Sequence, residues 1–246
     1  MQKPQRQAEI LLERAVIHSH GEAGSDIETK ARIDARVESW RGKLKWDSQM
    51  GQLTTAALNS EDRGVRESAI EVQLAAYGLS KNDSTVAALV RQAESNDHAQ
   101  KVWALWNLGL MGNRGIETEH VVQVLMTHLN TQNGKEDEDS RRWAVEGLAL
   151  VGTVPTIVPL LGAMHNDPSA LVRERAACSL AESGMLSREQ RMMAVPQLIS
   201  YSNDPALDTQ TKAWAFQALS DITRQKLPND SAAWRNWYES TVIGGQ

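Results

Sequence analysis

The chain of 246 residues has one cysteine, Cys178, one phenylalanine and three tyrosines. A single thiol can neither close a disulfide within the chain nor supply a four-cysteine zinc site, so the fold has to stand on packing. With so little Phe and Tyr, the apolar share is carried by Ala, Leu, Val and Trp, which disfavours half-buried strands and favours helices. Positive charge is not in excess either. The net charge of −5 opposes a protein whose main work is to follow a phosphate backbone. Long apolar runs are missing: no stretch approaches the roughly 18 consecutive apolar residues of a membrane span, and Met1–Arg14 lacks a signal-peptide pattern. A cytoplasmic chain without a membrane span is the expectation, with anything upstream of Met1 outside the reading. Nucleophile motifs, phosphate-cradling glycine loops and paired-carboxylate signatures are absent, and His120 and His128 are too far apart for the i, i+4 pair of a helical zinc site. No catalytic residue, metal or cofactor is therefore expected, and the chain does not read as an enzyme.

What the chain does have is an internal repeat. A basic residue is followed by Ala after three positions, Leu after four more and Gly after another four. The pattern reads Lys101, Ala104, Leu108, Gly112, then Arg141, Ala144, Leu148, Gly152, then Arg173, Ala176, Leu180, Gly184. Weaker copies flank these at Ile70, Leu74, Gly78 and at Lys212, Ala215, Leu219, Thr223. From Ile70 to Ala104, Ala144, Ala176 and Ala215 the successive offsets are 34, 40, 32 and 39 residues. A step of this size is that of a helical hairpin. Each copy predicts the second helix of a pair, apolar along i, i+4, i+8 and closed by Gly. The first helices fall at Trp46–Asn59, Asp83–Ala93, Thr118–Asn130, Thr153–His165 and Arg188–Ser202. Ala75, Gly109, Ala149, Ala181 and Ser220 hold one equivalent small position, which lets neighbouring helices approach closely. Asn166-Asp167-Pro168 and Asn203-Asp204-Pro205 supply capping Asp and helix-opening Pro between the helices of a pair. The acidic stretch Asn133–Asp139 reads as an insertion at one edge.

Paired helices, Asp-Pro in the turn between them, and an aliphatic-Arg step such as Val172-Arg173 resemble HEAT repeats, over roughly Trp46 to Gln225. The likeness is nearest to the short bacterial HEAT-like group that includes phycobilin lyase subunits; the Trp, Leu-Gly and Tyr pattern of tetratricopeptide repeats is not reproduced. This resemblance implies an all-α fold, a single domain over residues 1–246 built as an α-solenoid, a right-handed superhelix of antiparallel helix pairs. Residues 1–45 would form an N-terminal helical cap, with helices at Gln5–His18 and Asp26–Lys45 and stripes at Ile10, Leu11, Val16 and at Ile33, Val37, Trp40, Leu44. Residues 46–226 would hold five helix pairs. Residues 227–246 would be a C-terminal cap helix and tail, with Ser231–Glu239 bearing Trp234 and Trp237. Stacked helix pairs need such ends to hide their terminal apolar faces.

Stacked pairs present long surfaces to macromolecules, and the expected function is a non-enzymatic scaffold for a partner protein or peptide on the second-helix face. Trp103, Trp143 and Trp214 share one repeat position just before the core Ala, where they either pack between repeats or line a groove. Val102, Trp106 and Leu110 make a second apolar stripe, a place for a partner or for self-association unless other helices enclose it. Arg142, Glu146, Arg175 and Gln217 complete the expected partner-binding set. The resemblance also implies that Lys101, Arg141, Arg173 and Lys212 tie each repeat to an acidic or carbonyl group of its neighbour. Two other classes stay open: a bilin-lyase-like enzyme subunit, and nucleic-acid binding as in HEAT-like DNA glycosylases, which the acidic balance opposes.

Overall fold

A computed structural model describes residues 3–18, 25–131 and 137–243. The fold is all-α, and no strand occurs among the described residues. The first part of the expected acidic insertion, residues 133–136, lies outside them. No helix of the described residues is long and apolar enough to cross a membrane. The chain divides into two compact units, Met1–Thr85 and Val86–Gln246, where the sequence suggests one continuous domain.

In the first unit, helices α1 (Pro4–His18), α2 (Ser25–Asp34) and α3 (Val37–Trp40) gather on the pair α4 (Ser48–Leu58) and α5 (Arg63–Ala76). The expected helix over Asp26–Lys45 is thus two pieces, parted by a turn at Ala35-Arg36. Ile33, Val37, Trp40 and Leu44 are all buried as anticipated. The buried stripe of α1 is rotated from the expected one: Ala8, Leu11, Leu12 and Ala15 face inward, while Ile10 and Val16 stand at its margins. The spacing 8, 11, 12, 15 is the i, i+3, i+4, i+7 stripe of a helix on one flat neighbour, and small Ala residues let α1 settle close to it.

The second unit contains α6 (Asp83–Ala93), whose first turn holds the division between the units, then α7 (His98–Asn113), α8 (Thr118–Thr127), α9 (Glu138–Val151), α10 (Ile157–Asn166), α11 (Ala170–Ala181), α12 (Arg188–Met192), α13 (Val195–Tyr201), α14 (Thr209–Thr223) and α15 (Ser231–Tyr238). Helices α7, α9, α11 and α14 coincide with the sequence repeat, and each packs on the next. Proline refines two of the first helices. The segment expected over Thr153–His165 opens as a 3-10 turn, Val154–Thr156, holding Pro155. The segment expected over Arg188–Ser202 is cut into α12 and α13 at Pro196, which lacks an N–H and crowds the residue before it. At the far end α15 packs on α13. Its Trp234 is fully buried, with Nε1 donating to the Pro228 carbonyl at 3.0 Å.

Aspartates start α7, α9 and α14, while Ser169 caps α11 in place of the expected Asp167. The carboxylates of Asp97, Asp137 and Asp208 each accept the backbone N–H three residues on, at 3.1, 2.7 and 2.8 Å, closing the otherwise open first turns of α7, α9 and α14. Glycine serves the helix ends less uniformly than the repeat suggests. Gly152 ends α9 in the left-handed region, φ +61°, and Gly184 has φ +76°. Gly112, read from the sequence as a terminator, is still helical. It gives room to Val151 and Val121, and Gly115 takes the positive φ instead.

Where α7 crosses α9, the backbones themselves touch. A Cβ on Gly109 would lie 2.6 Å from the Gly147 carbonyl oxygen, and one on Gly147 would lie 2.8 Å from the Leu105 carbonyl oxygen. Rigid main chain on both sides cannot yield to an added methyl. Gly109→Ala is therefore expected to destabilise the protein by about 1–3 kcal/mol or more in chemical denaturation. Gly162→Ala in α10, where an added Cβ meets nothing within 4 Å, should stabilise it by roughly 0.5–1 kcal/mol.

Candidate functional site

The candidate face is built by repetition. Two residues before the core alanines Ala104, Ala144, Ala176 and Ala215 stand Val102, Arg142, Glu174 and Ala213. One residue before them stand Trp103, Trp143, Arg175 and Trp214. Two residues after come Trp106, Glu146, Cys178 and Gln217; six after come Leu110, Leu150, Glu182 and Asp221. At 100° per residue these positions share the side of each helix opposite its core stripe, except Glu182, which lies just past the end of α11. Arg175 thus occupies the tryptophan row, in the one helix of the four that lacks the tryptophan.

Contacts between helices follow one rule. Trp106 of α7 meets Trp143 of α9 edge-on, ring centroids 5.6 Å apart at 83°. Glu146 of α9 meets Arg175 of α11, Oε1 to Nη2 2.6 Å. In both cases the residue two after the core alanine of one helix meets the residue just before the core alanine of the next. The guanidinium of Arg142 lies 4.6 Å from the centroid of the Trp143 ring, and its Nε donates to Asp139 at 3.0 Å.

Of the partner-binding residues expected from the sequence, Val102, Trp103, Trp106, Arg142, Trp143, Glu146, Arg175 and Trp214 are half-buried and Gln217 is exposed. The structure joins Trp106 to Trp143, Arg142 to Trp143, and Glu146 to Arg175. Leu110 departs from the expectation: it is fully buried. From Ala104 to Gly112 only Trp106 keeps any exposure, because the backbone contact with α9 seats the C-terminal half of α7 inside the packing. The all-round apolar character of α7 therefore reflects enclosure along most of its length, and the open apolar patch shrinks to Val102 and Trp106.

The basic series makes inter-helix ties. Arg141 on α9 grips Asp167, Nε to Oδ2 2.8 Å and Nη2 to Oδ1 3.1 Å, with both side chains buried. That bond holds the Arg141 guanidinium above its ordinary range. Arg173 on α11 donates from Nη2 to Asp208 at 2.9 Å and from Nε to Thr211 at 3.0 Å, joining α11 to the capped start of α14. Lys101 lies close enough to Asp137 to lower its carboxyl, behind the larger effect of the Ser140 N–H. Sequence reasoning missed Arg191, whose buried guanidinium donates to four carbonyls, Ser179, Leu180, Ser183 and Leu186, around the end of α11. Its signal is faint, a cation one residue past an otherwise ordinary capping box from Ser187 to Gln190.

Histidines pair with acids across the repeat. His98 at the start of α7 faces Asp137 at 3.3 Å and Asp139 at 2.9 Å, beside α9. His165 at the end of α10 bonds Asp204, beyond α13, at 2.8 Å. Among the described residues, no three potential metal ligands gather in one place. A cleft in the first unit, lined by Ala15, Ile27, Lys30, Asp62, Gly64, Val65 and Ser68, measures about 80 Å³, well below the room a drug-sized ligand takes.

No protein-family model and no curated protein matches the chain. Among solved structures it is similar to an engineered protein determined by crystallography, target OR329 of the Northeast Structural Genomics Consortium, at 16% identity and a TM-score of 0.39, covering 88% of this chain and 96% of that one.

The His165–Asp204 bond makes stability depend on pH. Partial burial by itself would depress the imidazole, but the bonds to Asp204 and Asn166 outweigh it and raise His165 above its ordinary 6.5. The same bond lowers Asp204 below its ordinary 3.8. The histidine's contribution is complete below 6.5 and fades as pH rises through the raised value; the aspartate's is complete above 3.8 and fades as pH falls through the lowered value. His165→Gln should therefore cost more stability in urea titrations at about pH 5 than at about pH 8. An equal cost at both would show that the contact acts through packing on Tyr201 alone, whose ring lies 4.7 Å away.

Proposed function

We propose that this chain is a non-enzymatic interaction scaffold whose second unit is a short solenoid of HEAT-like helix pairs, holding a partner protein or peptide on the face of α7, α9, α11 and α14. The observation that carries the reading is the repeated contact step. Trp106 to Trp143 and Glu146 to Arg175 are the same two positions used twice in succession, so side chains one repeat apart form a single surface. The ties Arg141 to Asp167 and Arg173 to Asp208 repeat in the same sense, in keeping with stacked units that each bond to the next. Half-buried tryptophans beside arginine are the residue types that dominate interface energies, because a large ring partly seated in its own chain loses little freedom on binding.

Affinity capture from a lysate of the source cells tests the reading, with wild type beside a Trp106→Ala, Trp143→Ala variant of unchanged helicity. One protein held by wild type and lost by the variant is the expected result. Equal capture by both would confine these rings to packing and remove the face from the function.

A further inference from the structure

We propose that the segment held on this face is cationic, an arginine- or lysine-bearing stretch of the partner that runs along α11 and α14. The inference rests on the face being the binding surface and adds the chemistry of what it binds.

The cations that the chain places on the face are already answered. Arg142 is bonded to Asp139, and Arg175 to Glu146. Three acids are left over: Glu174 on α11 and Glu182, the residue that closes it, are exposed, and Asp221 on α14 is half-exposed. None has a cationic partner among the described residues; Asp221 accepts only from the Gln217 amide, at 2.9 and 3.0 Å. Glu174 and Asp221 fall on the same side of their helices as Arg175 and Trp214, two before and six after the core alanine, and Glu182 stands just past the end of α11. The open part of the face is therefore anionic, and its charge has no counterpart within the second unit's helices α11 and α14.

The tryptophan row shows how a cation would be seated there. In α9 the residue before Trp143 is Arg142, and its guanidinium covers that ring at 4.6 Å. In α14 the residue before Trp214 is Ala213, and among the described residues no guanidinium or ammonium covers the Trp214 ring. On α11, which packs against α14, Cys178 stands four residues from both Glu174 and Glu182. A half-buried ring on a face that carries unpaired carboxylates attracts an incoming guanidinium, as the Trp143 ring and Asp139 hold Arg142. An acidic segment would meet Glu174, Glu182 and Asp221 with like charge and find no free cation in exchange.

The test uses the full chain and labelled peptides of equal length and apolar content whose variable positions are all Arg, all Gln or all Glu, read by fluorescence anisotropy and by quenching of the intrinsic tryptophan emission. The Arg peptide is expected to bind best, more weakly as salt rises. Its affinity should fall about fivefold or more in Trp214→Leu and in the Glu174→Gln, Glu182→Gln, Asp221→Asn variant, whose surface substitutions leave the fold intact. An Arg peptide that binds no better than the Gln peptide, or binds the triple variant as well as wild type, overturns the inference. In that case, binding of the Gln or Glu peptide that is lost in Trp143→Ala would leave the interaction face itself standing. If no peptide of any charge binds, the face reading falls along with the inference.

Discussion

Helices α7 and α9 meet main chain to main chain at Gly109 and Gly147, and the side chains of the second unit are arranged around that contact. With the backbones this close, Leu105, Leu108, Leu110 and Met111 are fully enclosed, and the only residue of that stretch with any exposure is Trp106. The ring is then delivered to Trp143 on the neighbouring helix. A Cβ at either glycine would push the helices apart by a distance that close-packed interiors do not absorb. The same economy recurs further along, where Gly152 and Gly184 lie against Met185 and Ala149 so closely that no side chain would fit, and Met185 N–H donates to the Ala149 carbonyl at 2.8 Å.

Electrostatics fixes the register that close approach alone would leave free. Two smooth helices can slide along one another, but Arg141 on Asp167 and Arg173 on Asp208 bind each helix to a fixed point near the start of the next. The Arg141 pair is buried on both sides, so losing one partner would leave a charge in the packing, which costs far more than the pair contributes. Asp208 also caps the first turn of α14, so that one acidic residue sets both where a helix begins and how its neighbour sits against it; Asp167 accepts the N–H of Ser169, the residue that caps α11.

That register is what turns scattered residues into a surface. Trp106 and Trp143 are 37 positions apart and Glu146 and Arg175 are 29 apart, yet each pair is one step of the same lattice. The face grades from aromatic and charge-balanced over α7 and α9 to acidic over α11 and α14. Its chemistry comes from which residue each helix places at a shared position, with Arg175 and Cys178 breaking an otherwise aromatic and polar series.

Much of this was legible in the chain. Periodicity located α5, α7, α9, α11 and α14, and the Trp103, Trp143 and Trp214 row was visible because helical spacing is local and survives in one dimension; the turn aspartates Asp167 and Asp204 lie short of the residues that cap the next helices, Ser169 and Asp208. Proline 196 could also have warned of the break between α12 and α13. Other features were settled only by tertiary structure. Periodicity alone could not say whether Leu110 looks outward or is covered, that Gly112 makes room instead of ending a helix, that α1 turns Ala8 and Leu12 inward in place of Ile10 and Val16, or which carboxylate answers Arg141. The sequence by itself determined helices, their order and the identity of residues at each repeated position, since these depend on neighbours within a turn or two. The division into two units, the backbone contact at Gly109 and Gly147, and the pairing of Glu146 with Arg175 were decided in three dimensions, because they depend on how closely and at what offset separate helices pack.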